Sequence, residues 1–393
     1  MNEDTETKGN AELSAPGIMQ VLPGLVTGGV ERGAIDVAIA AKNAGWRSYV
    51  VSSGGPMVRE LIRAGVDHIQ LPVDSKNIFT MRGNVYKLTD LARDNRIDII
   101  HARSRAPAWS AKEAARKAGI AYLTTFHGTY NFSNPLKKAY NAVMTQGDRV
   151  IAISEFIRDH IILNYHADWA RLRVIHRGVD TTVFDPQAVS AERVVKLANQ
   201  WRLPDGVPIV MLPGRLTRWK GQGLLLRALS RLKDRSYRCL LVGSDQGREG
   251  YREELQTLAA KLGIEGSVHL VGDCNDMPAA YKLADVVVSA STDPEAFGRV
   301  AVEGQALGRP VVAPRHGAAP EQIRHGETGW LFSPDDADDL ARVLDEALSL
   351  DESRRDALHA AAIANVRANF TKEEMCRKTL EVYAELADRR RFI

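Results

Sequence analysis

From Ile18 the chain alternates short apolar runs with amphipathic stretches. "IMQVLPG" reads as a strand, and "VERGAIDVAIAAKNAG" as a helix closed by Gly45. "WRSYVVSSGG" is again a strand and "PMVRELIRAGV" a helix. "IDIIHARS", "AYLTTFHG" and "DRVIAISE" continue the series as nearly unbroken apolar runs, the mark of strands buried on both faces of a parallel sheet. Around "RLRVIHRGVDTTVFDP" the pattern loosens into turns, followed by the charged helix "AVSAERVVKLANQWRLPDG". A second series then begins, with strands "VPIVMLPG", "YRCLLVG", "SVHLVG", "DVVVSAS" and "RPVVAP" separated by helices.

Two such series predict an α/β protein of two doubly wound, Rossmann-like domains facing a central cleft, where such folds bind ligands beyond the strands' carboxyl ends. The expected divisions are a disordered tail over 1–16, an amino-terminal domain over 17–187 and a second domain over 188–370. The segment 371–393 is expected to be a helix crossing back to the first domain. A length of 393 residues with 45% hydrophobic content suits two cores better than one.

Composition narrows the function. A formal charge of +3 falls far short of a nucleic-acid binder's and fits anionic small ligands or the edge of an acidic membrane surface equally well. Three separated cysteines without a C-x-x-C predict reduced thiols, and no histidine pair has the spacing of a built-in metal site. The polar start lacks the features of a secretory signal, and no run of ~18 apolar residues predicts a membrane span. These features point to a cytoplasmic protein.

Several stretches carry candidate chemistry. In "GLVTGGVERGAID", Gly28 and Gly29 open a helix after the first strand and would let backbone N–H groups approach an anion. The glycines are not spaced as G-x-G-x-x-G, which disfavours a dinucleotide. In "LPGRLTRWKGQGLLLRAL", Arg215 and Lys220 occupy the matching turn of the second series, where a diphosphate would be held. His127, in "TTFHGTYNFS", follows a strand's carboxyl end and is expected to be exposed in the cleft, donating a hydrogen bond or shuttling a proton near neutral pH. Glu295 and Glu303 straddle the helix start in "STDPEAFGRVAVEG". Eight residues at helical rise span ~12 Å, whereas paired glycosidase carboxylates stand ~5–9 Å apart. The two are therefore better suited to opposite ends of an extended ligand.

The run "EAFGRVAVE", the G-R-L-x-x-x-K-G element, "FHG" and "EQIRHGETGWLFSPDD" together resemble the family-four glycosyltransferases of GT-B fold, in order and over nearly the whole chain from Ile18. The resemblance implies a retaining, metal-independent enzyme using a GDP- or UDP-linked sugar donor, with no cofactor. Glu303 would hold the donor ribose, and Glu295 with Ala296, Phe297 and Gly298 the transferred sugar. Arg215 and Lys220, helped by Gly28 and Gly29, would neutralise the diphosphate. His127 would contact the sugar near the reacting carbon, and Val271 to Tyr281 would lie at the base. Gly304 departs from the family's alanine, at an expected ~1 kcal/mol.

"TGGVERGAIDVA", "VVSSGGPMVREL", "LPVDSKN" and "HARSRAPAWSA" are further similar to glycosyltransferases of Gram-negative bacteria that add mannose to the lipopolysaccharide inner core. On that resemblance the acceptor is an anionic glycan or glycolipid. Arg103 and Arg105, with Lys137 and Lys138, are candidate acceptor contacts. The basic "DRRRF" end adds a candidate contact with the anionic inner membrane leaflet. The alternatives are transfer to another envelope glycan, a sugar-nucleotide 2-epimerase, and a two-domain sugar-binding protein without catalysis.

Overall fold

The computed structural model describes residues 15–391 except 27, 131 and 248, with side chains through Asp388. The tail expected over 1–16, as far as residue 14, and the side chains of the basic end after Asp388 lie outside the described residues. The chain forms two compact units: one runs to Gly178 and takes back the chain from Lys372, the other is Val179–Thr371.

The first unit contains a seven-stranded parallel sheet in the order β3-β2-β1-β4-β5-β6-β7. Its strands are β1 (Gly17–Val21), β2 (Arg47–Ser52), β3 (Asp67–Gln70), β4 (Ile99–Ala102), β5 (Ala121–Phe126), β6 (Arg149–Ala152) and β7 (Leu172–Val174). The central strands are buried throughout, which is why they read as apolar runs rather than alternating ones. β7 lies in the stretch the sequence marked as turns. It is a three-residue edge strand with one buried position, too short to show a period.

The second unit has a six-stranded parallel sheet, β10-β9-β8-β11-β12-β13. Its strands are β8 (Ile209–Pro213), β9 (Arg238–Val242), β10 (Val268–Gly272), β11 (Val286–Val288), β12 (Val311–Pro314) and β13 (Trp330–Phe332). β13 is a further short strand outside the sequence-based series. Gly304, in the helix Arg299–Ala306, lies against this sheet: an added Cβ would stand 2.8 Å from Val311 Cγ2 and 3.4 Å from Val287 Cβ. The expectation of an ordinary helix-propensity cost is therefore corrected. The glycine lets the helix approach β11 and β12 closely.

The unit boundary falls at Gly178/Val179 rather than 187/188. The Val179 N–H donates to the Phe370 carbonyl at 2.8 Å, and Lys282 Nζ donates to the carbonyls of Pro186 and Val189 at 2.6 Å each. These bonds bind the segment after Val179 to the second unit. At the other end, the helix Lys372–Arg391 buries Met375, Cys376, Val382, Tyr383 and Leu386 against Ile18, Val37 and Ile99 of the first unit. Glu385 on this helix accepts from Arg149 and Arg173.

Candidate functional site

In the second unit the chemistry gathers where β8 and β11 hand over to their helices. After β8 the chain passes Arg215, which is exposed, and a short turn Arg218–Lys220 before the helix Gln222–Leu229. Gly221 joins the two at φ 72°, so close to β11's exit that an added Cβ would stand 1.8 Å from the Ala290 carbonyl oxygen. That contact brings Lys220 beside the loop after β11. Lys220 Nζ lies 2.6 Å from Glu295 Oε1 and 4.3 Å from the Trp219 ring centroid. Ser291 Oγ donates to the same carboxylate oxygen, and the Ala318 N–H holds the Glu295 carbonyl at 3.0 Å. Glu295 is thus fixed by a cation, a hydroxyl and its own backbone.

Gly298 (φ 74°) begins the helix Arg299–Ala306, and Glu303 sits in its second turn. Glu303 is only 8% exposed. Its Oε2 accepts from the Tyr281 hydroxyl at 2.8 Å, and its Oε1 pairs with Arg299 at 2.5 Å. Burial, reinforced by the Glu303 charge, holds the Tyr281 phenol well above its ordinary pKa, so it remains a donor. A carboxylate has about four acceptor positions, so this clamp leaves Glu303 capacity for further hydroxyls. The Phe297 ring is buried and 6.2 Å from that of Phe370, which makes it core, and its backbone carbonyl accepts from the Gln322 amide. The stretch Val271 to Tyr281 ends β10 and enters the helix Met277–Leu283, with Asp276 capping it and paired to Arg193 at 2.6 Å.

In the first unit the candidates divide. Gly28 and Gly29 open the helix Gly29–Asn43 after β1. The Glu31 carboxylate turns back toward Gly28, an added Cβ there standing 2.5 Å from Oε2. An acidic side chain already attends this helix start, so an incoming anion must displace it.

His127 follows β5 but is half-buried rather than exposed. Its Nδ1 lies 2.8 Å from Arg177 Nη2, and its backbone N–H donates to the Tyr130 hydroxyl at 3.4 Å. Burial first, then the charges of Arg177 and Arg103, push the ring's pKa well below its ordinary value. The expected proton shuttle near neutral pH is corrected accordingly: the ring is neutral there. Its Nε2 is buried without a hydrogen-bond partner.

Arg103 is 5% exposed, its Nε donating to Gln20, with Tyr383 and Cys376 nearby. It belongs to the interior beneath β4 and not to an acceptor surface. Arg105 starts the helix Arg105–Ala118, donates to Asn141 Oδ1 at 3.0 Å and lies 4.3 Å from the Tyr130 ring centroid. Lys137 is exposed on the helix Pro135–Asn141, and Lys138 stands 6.0 Å from the Phe132 ring. Trp109 stacks on Tyr140 of the same region, and Leu136 is 84% exposed.

Tyr281, Ser291 and Arg177 are supporting residues that motif reading did not single out. Arg299 was legible as the i,i+4 partner of Glu303 on a helix. Ser291 meets Glu295 four residues along the same loop, whereas Tyr281 and Arg177 reach their partners through tertiary contact. Among the described residues, no three His, Cys, Asp or Glu side chains form a group able to hold a metal ion, and no helix is long and apolar enough to cross a membrane.

Two parallel-sheet Rossmann-like units place the chain among two-domain, doubly wound α/β proteins. The family pattern of glycosyl transferases group 1 matches residues 195–363, and that of glycosyltransferase family 4 matches residues 27–183. A glycosyltransferase of Rickettsia africae ESF-5 is 38% identical, with 95% of this chain and 99% of that one covered and a TM-score of 0.89. The chain belongs to this glycosyltransferase family. Anabaena Alr3699/HepE, solved in complex with UDP and glucose, shares the fold at a TM-score of 0.82 and 24% identity, with 94% and 100% covered. A D-inositol 3-phosphate glycosyltransferase of Corynebacterium kroppenstedtii is 31% identical over 250 residues, which is 62% of this chain. The chain spans about half of that relative's length, 54%.

Proposed function

We propose that this protein is a retaining glycosyltransferase that moves a hexose, mannose first, from a GDP- or UDP-linked donor to an anionic glycan or glycolipid acceptor. The observation that carries the reading is the Lys220–Glu295 pair at the strand-to-helix turn, with Glu303 clamped one helix further on. Glu303 takes the donor ribose and Glu295, with the backbone from Ala296 to Gly298, the hexose. A diphosphate draws Lys220 toward itself, joined by Arg215.

The chemistry needs no side-chain base. As the bond from the anomeric carbon to the diphosphate breaks, negative charge grows on the leaving oxygen, where Lys220 and Arg215 stabilise it. The acceptor hydroxyl forms the new bond on the same face and passes its proton to that leaving phosphate. His127, neutral and with a free ring nitrogen, donates to a hydroxyl of the sugar. The leaving-group charge is assigned to these cations rather than to a metal ion, so chelation with EDTA is expected to leave turnover unchanged.

On the acceptor side, Arg105, Lys137 and Lys138 offer cations. Exposed Leu136, and Phe79 at 80% exposure, offer apolar contact with a lipid surface. The lipopolysaccharide-core reading rests on the amino-terminal motifs. The inositol phosphate relatives favour a second reading, in which the acceptor is a phosphorylated polyol. A thermal-shift screen of UDP, GDP, ADP and their sugars, followed by product analysis with each acceptor class, tests the proposal. Turnover of the donor to an epimer without acceptor, or undiminished transfer in Lys220→Ala and Glu295→Ala, would overturn it.

A further inference from the structure

Arg177 follows β7 and is the last residue but one before the chain passes from the first unit into the second. Fifty residues separate it from His127, yet Arg177 Nη2 lies 2.8 Å from His127 Nδ1. This contact has only one direction. A guanidinium carries five N–H donors and no acceptor, and it does not lose its proton in a protein. Nδ1 must therefore offer its lone pair. A neutral imidazole that accepts at Nδ1 carries its hydrogen on Nε2.

The surroundings keep the ring neutral. Arg177 approaches one edge, Arg103 and His101 contribute from the end of β4, and Tyr130 takes the His127 backbone N–H. His101 is itself enclosed, with Nδ1 2.7 Å from the Tyr383 hydroxyl and Nε2 2.7 Å from Thr125 Oγ1. Two cations and a shortage of water oppose a further positive charge. Among the described residues, the groups that act on the ring all disfavour its protonation.

We propose that Arg177 is a positioning residue that fixes His127 in the Nε2–H tautomer, so that the ring presents a hydrogen-bond donor and never a base. The buried, unpartnered Nε2 is then a donor awaiting an oxygen. That the awaited oxygen is a hydroxyl of the transferred sugar rests on the function proposed above; the tautomer does not. Because the carrier of the tautomer is a guanidinium, it holds throughout the physiological pH range.

Long-range 1H–15N correlation spectra of the full-length protein labelled with 15N-histidine test this directly. His127→Asn identifies the resonances. The expected result is an acceptor-type Nδ1 and a protonated Nε2 that do not titrate between pH 6 and 9. Arg177→Met should convert this to a tautomer mixture or a titrating ring, and Arg177→Lys, which still donates one hydrogen bond, should restore it in part. Far-UV circular dichroism and the melting temperature establish that each variant is folded. A wild-type ring protonated at Nδ1, or a spectrum unchanged in folded Arg177→Met, overturns the proposal. A changed spectrum with an undiminished transfer rate upholds the tautomer and instead removes the sugar contact from His127.

Discussion

The two units meet the same electrostatic problem in opposite ways. In the second, the charges of the candidate site are paired: half-buried Lys220 with Glu295, and exposed Arg299 with buried Glu303, backed by the Tyr281 hydroxyl. In the first, His127 stands beside Arg177 and near Arg103, and the balance is struck by keeping the imidazole neutral. Paired charges can exchange partners when a ligand of matching charge arrives. A neutral donor amid cations cannot be recruited as a base. On the proposed function the difference divides the labour: one unit handles charge, the other directs a hydrogen bond.

The comparison can be broken most severely at Lys220. Lys220→Ala removes the cation proposed for the leaving group and leaves Glu295 without its ion-pair partner. Transfer should fall by roughly two to three orders of magnitude, the scale of losing one such stabilising group. A rate within a few-fold of wild type, measured by nucleoside diphosphate release, would dissolve the contrast.

A smaller effect is expected at Tyr281. Tyr281→Phe deletes a buried hydrogen bond to a carboxylate, worth about 1.5–3 kcal/mol. Donor affinity, read by calorimetric titration, should weaken by about ten-fold or more with the His127 spectrum unchanged. Coupled loss at both places would show that the two sites are not independent.

Gly304→Ala sharpens the structural side. Forcing a methyl group against Val311 and Val287 should cost about 1–3 kcal/mol, seen as a lower urea midpoint. An unchanged midpoint would mean that the helix can withdraw from the sheet.

The smallest predicted effect belongs to the neutral histidines. His127 and His101 both have pKa values well below ordinary, each first because of burial. Between the folded pKa and the unfolded value near ~6.5, the unfolded chain binds more protons, so stability rises with pH across that window. The contribution is fully present above ~6.5 and is lost as pH falls below it. Melting temperature should therefore drop as pH is lowered from 7 to 5, with a shallower slope in His127→Asn. An equal slope in that variant would place the pH sensitivity elsewhere.

Legibility differed with the range of the interactions. The β-α-β rhythm was readable because buried parallel strands and amphipathic helices repeat over spans longer than their local noise. The positions of Lys220, Glu295 and Glu303 were readable because strand-to-helix turns place their residues by local geometry. β7 and β13 were not, since three residues carry no period and edge pairing is a tertiary gift. Arg103 looked like a surface cation because it follows a strand and sits near other cations. Its burial comes from the carboxyl-terminal helix bearing Tyr383 and Cys376, far along the chain.

By itself, then, the sequence determined two doubly wound α/β series, the strand-to-helix turns that carry Lys220 and Glu295, and the helix that carries Glu303. These follow from backbone hydrogen bonding and hydrophobic period, both local. Only the tertiary structure decided that Glu295 is held by Lys220, that Tyr281 lies under Glu303, that Gly304 admits a close sheet, and that Arg177 orients His127. Each of these depends on desolvation and on a donor meeting its acceptor across many residues. No period along the chain records that distance.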